Sequence, residues 1–575
     1  MRAALLNGNS SSLFLRSIVG GGNSLAFGSL WSPLKARNPT KGAGFLSCKL
    51  MSMNSPAVRV KEKIDLTEKE KMIFDRLLAT IRHFDLSTEL RVAGGWVRDK
   101  LLGKECYDID IAIDDMLGST FVDKVTRYLA STGEEAQGLA VIPSNPDQSK
   151  HLETARMRLY DIWIDFVNLR SEKYSENSRI PTQMEFGTAE EDAYRRDLTI
   201  NSLFYNINTS SVEDLTGRGI DDLKSGKIVT PLAPKETFLD DPLRVLRAVR
   251  FGARFRFTLD EELKRAAASN DVKDALGAKI SRERIGTEVD LMISGNEPIK
   301  AIAYINELQL FWVVFSLPHE HEHEPTLPED CDRLCLAYMD AAWSLLQLLG
   351  SLSLTDEQRR LSLYAALFCP FRTITYRDSK GKKIPIVNYV FRNSLKRKAS
   401  DADRVVGVHS AVARLLGLIP FLESNVDGEL NEDDLGSELV DIPASSKLRV
   451  VTGFLLREVK DFWRVALLIA VLTYPSPIDC SEDGMFKHYE LDKRKELFQA
   501  VENAIVKLGL DKIWEEKPLV TGKDIMSVLQ LKSGGPLVKE WQQKLLAWQL
   551  ANPAGTADEC LGWMRQTHLK RIKME

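Results

Sequence analysis

Asp108 and Asp110 are separated by one isoleucine and follow a glycine pair: Ala93-Gly94-Gly95-Trp96-Val97-Arg98-Asp99, then Tyr107-Asp108-Ile109-Asp110-Ile111-Ala112-Ile113. Apolar residues alternate from Ile109 to Ile113, the period of a β-strand buried on one face. Positions two apart share a strand face, so both carboxylates point one way and the isoleucines the other. Carboxylates this close repel unless a hard cation sits between them, and Mg²⁺ carrying substrate phosphates is the common solution. A Gly-Gly turn lets backbone N–H groups approach a phosphate, and Arg98 is placed to neutralise it. These parts describe a site that grips a nucleoside triphosphate and its metal ions.

A third carboxylate beside this pair would take a proton from an attacking hydroxyl or share a metal. Two alternating segments supply candidates, His151-Leu-Glu153-Thr-Ala-Arg156-Met-Arg158 and Asp161-Ile-Trp163-Ile-Asp165-Phe-Val-Asn-Leu-Arg170. The sequence does not choose between Glu153 and Asp165. Further on, Arg195-Arg196-Asp197-Leu198-Thr199-Ile200-Asn201 puts two planar cations where a triphosphate or ribose would lie, with Asp197 available to a sugar hydroxyl.

Base choice is suggested by Asp240-Asp241-Pro242-Leu243-Arg244-Val-Leu-Arg247-Ala-Val-Arg250. Pro242 suits a first helical turn and Asp240 or Asp241 the cap. Asp241, Arg244 and Arg247 then step by three along one helix face. Cytosine and adenine each present an amino donor beside a ring-nitrogen acceptor. Asp241 can accept from the amine and Arg244 can donate to the nitrogen. Uracil and guanine reverse those groups, and each buried mismatch costs about 1–3 kcal/mol. One Asp/Arg pair therefore admits CTP and ATP and rejects UTP and GTP.

These residues need a rigid frame. Phe74, Leu77, Leu78 and Ile81 follow helical spacing and predict a helix within 61–90 ahead of the first motif. Residues 91–230 mix strand and helix signals, and from about 235 the pattern is helical, interrupted near 373–404 and by an acidic stretch, 423–446. At 575 residues several domains are expected. The fold class is read as α+β, a mixed-sheet palm at 61–230 followed by an elongated all-α neck (231–300) and body and tail (301–575).

The first 60 residues hold seven Lys or Arg and no Asp or Glu, and are rich in Ser, Gly, Leu and Ala, the composition of an organelle transit peptide. Met51 and Met53 would serve as internal starts for a cytoplasmic or nuclear form. Net charge is −4 overall; without the leader, 70 Lys and Arg stand against 81 Asp and Glu, or −11. Bulk charge announces no nucleic acid, so cations for an RNA must be gathered on one face. Seven cysteines without a C-x-x-C pair fit free thiols rather than a disulfide or zinc framework. No run of 18 apolar residues suggests a membrane span, and no stable protein partner is indicated. His319, His321 and His323 alternate with glutamates and read as a solvated loop; Lys396-Arg397-Lys398 is too short to assign to RNA or to a nuclear signal.

The first motif resembles that of nucleotidyltransferases related to DNA polymerase beta. Gly-Gly-Trp-Val-Arg-Asp-Lys-Leu-Leu-Gly is similar to the branch holding tRNA CCA-adding enzymes and bacterial-type poly(A) polymerases. Arg195–Asn201 resembles its second motif, Glu213–Gly226 its third (read as a structural hinge), and Asp240–Arg244 its base-reading element, with Asp240 where the family has Glu. Ala278-Lys-Ile280-Ser281-Arg282-Glu283-Arg284 resembles the fifth, assigned to stabilising the helix turn behind the base pocket. His-Leu-Glu-Thr-Ala, Asp-Phe-Val-Asn-Leu-Arg and Asp-Asp-Pro-Leu-Arg-Val-Leu-Arg look like the eukaryotic CCA-adding enzymes, and the acid-free leader suggests a plant form, hence mitochondrion or plastid. The resemblance implies addition of C, C and A to tRNA, gripped at its acceptor stem and elbow. Asp108 and Asp110 would hold two Mg²⁺. Gly94, Gly95, Arg98 and Arg196 would brace the triphosphate with help from Arg247 and Arg250. A poly(A) polymerase on the same scaffold is the nearest competitor. A glycosyltransferase would leave the arginine motifs without a role, and a purely RNA-binding protein would leave the aspartate pair without one.

Overall fold

The computed structural model describes residues 58–134, 137–142, 154–175, 178–318, 327, 330–350, 354–378, 380–424, 442–475 and 488–574. The leader with Met51 and Met53, Glu153, the His319–His323 run and most of the acidic stretch fall outside the described residues.

Three helices flank the site-bearing sheet: α1 (Glu68–His83), α2 (Gly95–Leu101) and α3 (Gly118–Ser131). The helix expected within 61–90 begins late because Thr67 caps it. The Thr67 hydroxyl accepts from Glu70 N, and the Glu70 carboxylate accepts from Thr67 N in return. The strands are β1 (Leu90–Ala93), β2 (Ile109–Ile113), β3 (Leu139–Ile142), β4 (Thr154–Leu159) and β5 (Ile162–Asn168), then a separate hairpin of β6 (Arg170–Ser175) and β7 (Ser178–Phe186), then β8 (Phe204–Asn206) and β9 (Ser211–Glu213). Seven of them form one sheet in the order β3-β4-β5-β2-β1-β8-β9. Only β2 and β5 run parallel in it, and their register sets Asp110 opposite Asp165.

Period-two alternation sorts this sheet into two faces. Ile109, Ile111, Ile113, Met157, Ile164 and Phe166 are fully buried on one, where Phe121 of α3 meets Phe166 at 5.7 Å between rings. On the other, Ala93, Ala112, Val167 and Phe204 close under Ala189 and Ala193 of α4 (Ala189–Tyr194). That cover stops short of the row holding Asp110 and Asp165, which stay partly open to solvent.

Helices follow: α5 (Gly219–Ser225), α6 (Pro234–Asp240), α7 (Leu243–Phe255), α8 (Glu261–Ala267), α9 (Asn270–Lys279) and α10 (Arg282–Ile293). The capping expectation needs one correction. Asp240 does not cap α7; it is the last residue of α6, and Asp241 occupies the break. There the Asp241 carboxylate accepts from Leu243 N at 3.2 Å and its carbonyl accepts from Arg244 N at 2.9 Å. Within the third motif Asp214 accepts from Ile220 N at 3.0 Å and Arg218 donates to the carbonyl of Thr230 at 2.8 Å.

The apolar core runs on from the sheet through α7 and α10 into the helices Cys331–Leu349, Asp356–Leu367, Ala399–Ser424, Trp463–Thr473 and His488–Lys507. Of the described residues, only helix Ala399–Ser424 is long and apolar enough to cross a membrane. It packs against Trp463–Thr473 and His488–Lys507, with Val405, Val412 and Ile419 buried, as a core helix does. The last three helices gather Val520, Ile525, Trp541, Leu545, Cys560 and Met564 into a cluster of their own. The α+β expectation, palm first and helices after, matches this order.

Candidate active site

The strand register brings three carboxylates together. Oxygens of Asp108, Asp110 and Asp165 all lie within 4.8 Å of one another. Asp108 is exposed at the mouth of β2, while Asp110 and Asp165 sit on adjacent strands. Burial, then the charges of Asp108 and Asp165, push the Asp110 carboxyl up to about 6. Burial also raises Asp165, against the pull of Arg156. Oxygen-only donors this close are the donor set of a hard divalent cation. Of the two candidates for third carboxylate, Asp165 is the one among the described residues.

The turn between β1 and α2 forms the wall beside Asp110. Gly94 has φ +68°, and a Cβ there would stand 2.7 Å from Arg196 Nη1 and 3.1 Å from the Asn201 carbonyl. No other residue fits without displacing one of them. The turn is held from behind by Glu70, which accepts from Trp96 Nε1 at 3.0 Å and Lys100 Nζ at 2.9 Å.

Beyond Asp110 opens a cavity of about 540 Å³. Arg98, Arg170, Arg195, Arg196, Arg244, Arg247, Arg254 and Arg284 line it, against Asp110, Glu172, Asp197 and Asp241. Eight lining cations face four lining anions, and Asp99 and Asp192 behind the wall pair with four of these arginines, so the wall keeps an excess of two positive charges, the complement of a polyphosphate. Most of these arginines are held in place. Asp192 receives Arg196 Nε at 3.0 Å and Nη2 at 2.7 Å, and also binds Arg195. Burial would raise Asp192, but Arg196 and Arg195 outweigh it and hold it below the carboxylate range. Asp197 is buried and likewise held low, by Arg247 at 2.6 Å and Asn201 at 3.0 Å.

Three placements differ from the sequence reading. Arg98 is 3% exposed, bonded to Asp99 at 2.9 Å and to the Asn201 amide oxygen, and stacked against Phe251 and Phe255 of α7. A buried guanidinium needs partners, and these make Arg98 a clamp between α2 and α7 that still lines the cavity. Arg250 bonds Glu288 of α10 at 2.6 Å and is not among the cavity's lining residues. Arg284 reaches Asp241 Oδ2 at 3.1 Å, whereas Arg282 donates to the carbonyls of Ser394 at 2.7 Å and Val313 at 2.9 Å. Residues two apart on a helix point about 200° apart, so one arginine of the fifth motif anchors the helix and the other joins the site. Asp192, Glu172 and Asn201 were also missed as organisers. Asn201 and the pair Asp192/Arg196, four apart on one helical turn, carried a spacing signal. Arg397 of the Lys-Arg-Lys run bonds Asp290 at 2.9 Å, so that run does not present three free cations.

Asp241 at the break before α7 and Arg244 in its first turn bring the neck to the cavity wall. Arg244 is 8% exposed and donates to the carbonyl of Arg195 at 2.8 Å. Both line the same space as Asp110.

Comparison with known proteins agrees with this geometry. Residues 90–229 match the family model of the poly A polymerase head domain. The chain is 35% identical to the mitochondrial CCA tRNA nucleotidyltransferase of Saccharomyces cerevisiae, over 84% of its own length and 88% of the relative's. It is 33% identical to tRNA nucleotidyltransferase cca2 of Schizosaccharomyces pombe, over 88% and 99%. A poly(A) polymerase I of Salmonella typhi is 34% identical over only 30% of this chain. The fold is similar to that of the Bacillus stearothermophilus CCA-adding enzyme solved with CTP, at TM-score 0.58 and 18% identity, covering 89% of this chain and all of that one.

Proposed function

The chain belongs to the family of CCA tRNA nucleotidyltransferases, and on that premise we propose that it adds C, C and A to the 3′ end of tRNA from CTP and ATP without a nucleic-acid template. The observation that carries this reading is one cavity lined by Asp110 of the carboxylate cluster, by the Asp241 and Arg244 pair, and by more arginines than acids.

In this reading Arg196, Arg247 and their neighbours receive the triphosphate, with their planes already set by Asp192 and Asp197. Asp241 accepts from the base amine and Arg244 donates to the ring nitrogen. The tRNA 3′-hydroxyl attacks the α-phosphorus in line, the new O3′–P bond forms as the bond to pyrophosphate breaks, and Asp165 takes the hydroxyl proton. Asp108 and Asp110 would hold two Mg²⁺, which when bound neutralise charge on the reacting phosphates. Residues 61–230 serve as palm, 231–300 as base-reading neck, and 301–575 as the body and tail that grip the acceptor stem and elbow. The acid-free leader directs the protein to the mitochondrion, as the name of the yeast relative suggests. A plastid destination, and Met51 or Met53 starts that leave a cytoplasmic or nuclear form, are tested by N-terminal peptide mapping of each fraction.

The deciding experiment incubates a tRNA transcript lacking CCA with Mg²⁺ and each nucleotide, alone and together. Two additions from CTP, then one from ATP and a stop, are expected. A long ladder from ATP alone would make the protein a poly(A) polymerase.

A further inference from the structure

The three carboxylates divide one sheet face into two halves. The nucleotide cavity lies on the β1–β2 side, reached through Ala93, Gly95 and Asp110. On the other side of Asp165 the register continues Asp165–Arg156 and Trp163–Arg158 across β5 and β4, all on the carboxylate face. Arg156 and Arg158 are 43% and 41% exposed, and Trp163 is 40% exposed. The Arg156 guanidinium sits 5.3 Å from the centre of the indole, and its Nε is 2.8 Å from Asp165 Oδ1, an ion pair without a directed hydrogen bond. Nε of Arg158 is buried without a hydrogen-bond partner, while its Nη2 touches Asp161 at 3.3 Å. Gly138 passes so close that a Cβ would stand 3.0 Å from the tryptophan ring, so the backbone just before β3 makes room for the indole.

We propose that Trp163, Arg156 and Arg158 seat the 3′-terminal nucleotides of the acceptor RNA, one base stacking on the indole and Arg158 meeting an adjacent phosphate. This rests on the CCA-addition reading and deepens it. In-line transfer sets the attacking oxygen opposite the departing pyrophosphate. With the triphosphate in the arginine cavity, the attacking 3′-hydroxyl arrives from the Asp165 side, where this face lies. Exposed cations beside an aromatic plane are what a single strand requires, since every base offers a π-face and every linkage a charge. Asp165, paired with Arg156 in the free protein, is released toward the hydroxyl as Arg156 turns to the incoming phosphate.

The test measures initial rates against tRNA concentration and, separately, against CTP concentration, for the full chain. Trp163→Ala is expected to raise the KM for tRNA about tenfold, leave the KM for CTP unchanged, and be rescued by Trp163→Phe. Arg158→Ala is expected to flatten the salt dependence of the tRNA KM by about one phosphate contact. If both variants keep the wild-type melting temperature and a tRNA KM within about twofold of wild type, the proposal is overturned. Should Trp163→Ala fail to fold, a tRNA carrying 4-thiouridine at its last nucleotide decides: cross-links to the β4–β5 peptide support the seat, and cross-links confined elsewhere exclude it. A wild-type protein that extends no tRNA would instead sink the CCA-addition reading, and that outcome is read in the same assay before any variant is compared.

Discussion

The palm cavity and the helical body both contain buried arginine–carboxylate networks, yet they do different things. Where the body meets α10 of the neck, Arg360 bonds Asp290 and Asp401 at 2.8 Å each, Arg397 bonds Asp290 at 2.9 Å, and the Tyr364 hydroxyl donates to Asp290 at 3.1 Å. Two cations meet two anions and the network closes on itself. In the palm, Asp192 and Asp197 orient arginines that outnumber the acids around an open cavity. The balanced network holds helices together. The unbalanced one stores positive charge that only a polyanionic ligand neutralises. Residue type does not separate a structural ion cluster from a site; net charge and an adjoining cavity do.

Four substitutions or conditions probe that contrast. The largest effect is expected from Asp108→Ala, which should lower nucleotide incorporation by roughly a thousandfold or more. Its tRNA affinity, followed by filter binding, should hardly change, because the carboxylate faces the reacting phosphates; retained activity would refute the metal assignment. At the junction of neck and body, Asp290→Ala strands Arg397 and leaves Arg360 with Asp401 alone, and should cost about 3–5 kcal/mol in denaturant unfolding. The turnover of the folded fraction should stay near wild type. An activity loss without destabilisation would mean that the body network is not merely structural.

A third effect is pH-dependent. His409 is buried, and its Nε2 meets the Ala365 carbonyl at 2.8 Å. Burial, together with the charge of Arg372, brings its pKa down to about 4. The ordinary value is about 6.5, so between these limits the unfolded chain takes up the proton and the folded chain does not. Stability from this group is complete above about pH 6.5 and is lost as pH falls toward 4, by about 3 kcal/mol in all. Thermal melts of His409→Gln should show a flatter acid limb than wild type, and superimposable limbs would discard the assignment. The smallest effect concerns base choice. Arg284→Gln removes the partner of Asp241 Oδ2 and should relax discrimination against UTP and GTP about tenfold, with catalysis by CTP otherwise near normal. Single-nucleotide competition assays check it, and unchanged selectivity would remove Arg284 from the base-reading group.

What was legible in the sequence follows one rule. Asp108 and Asp110 share a face because a strand alternates with period two, and that follows from three consecutive residues. The start of α1 was local too, written in Thr67 and Glu70, although the broader apolar rhythm around it suggested a longer segment. The fifth motif was read as stabilising a helix turn, and its spacing did not say which arginine faced the cavity. Local geometry ended there. Asp165 became the third carboxylate through the parallel register of β2 and β5, strands about fifty residues apart in sequence, and no short-range pattern encodes that offset.

Partner choice among charged groups was decided the same way. Arg98 read as a phosphate contact from its spacing to Gly94 and Gly95, and packing against Phe251 and Phe255 turned it into a clamp. Arg250 continued the basic stripe of α7 in sequence, and Glu288 on another helix claimed it. By itself the sequence determined the chemistry present, the faces on which it lay and the family it resembled. Tertiary structure alone decided which charges were cancelled and which were left over, because ion pairing depends on distance through space, and the chain sets that distance only once its distant segments have packed.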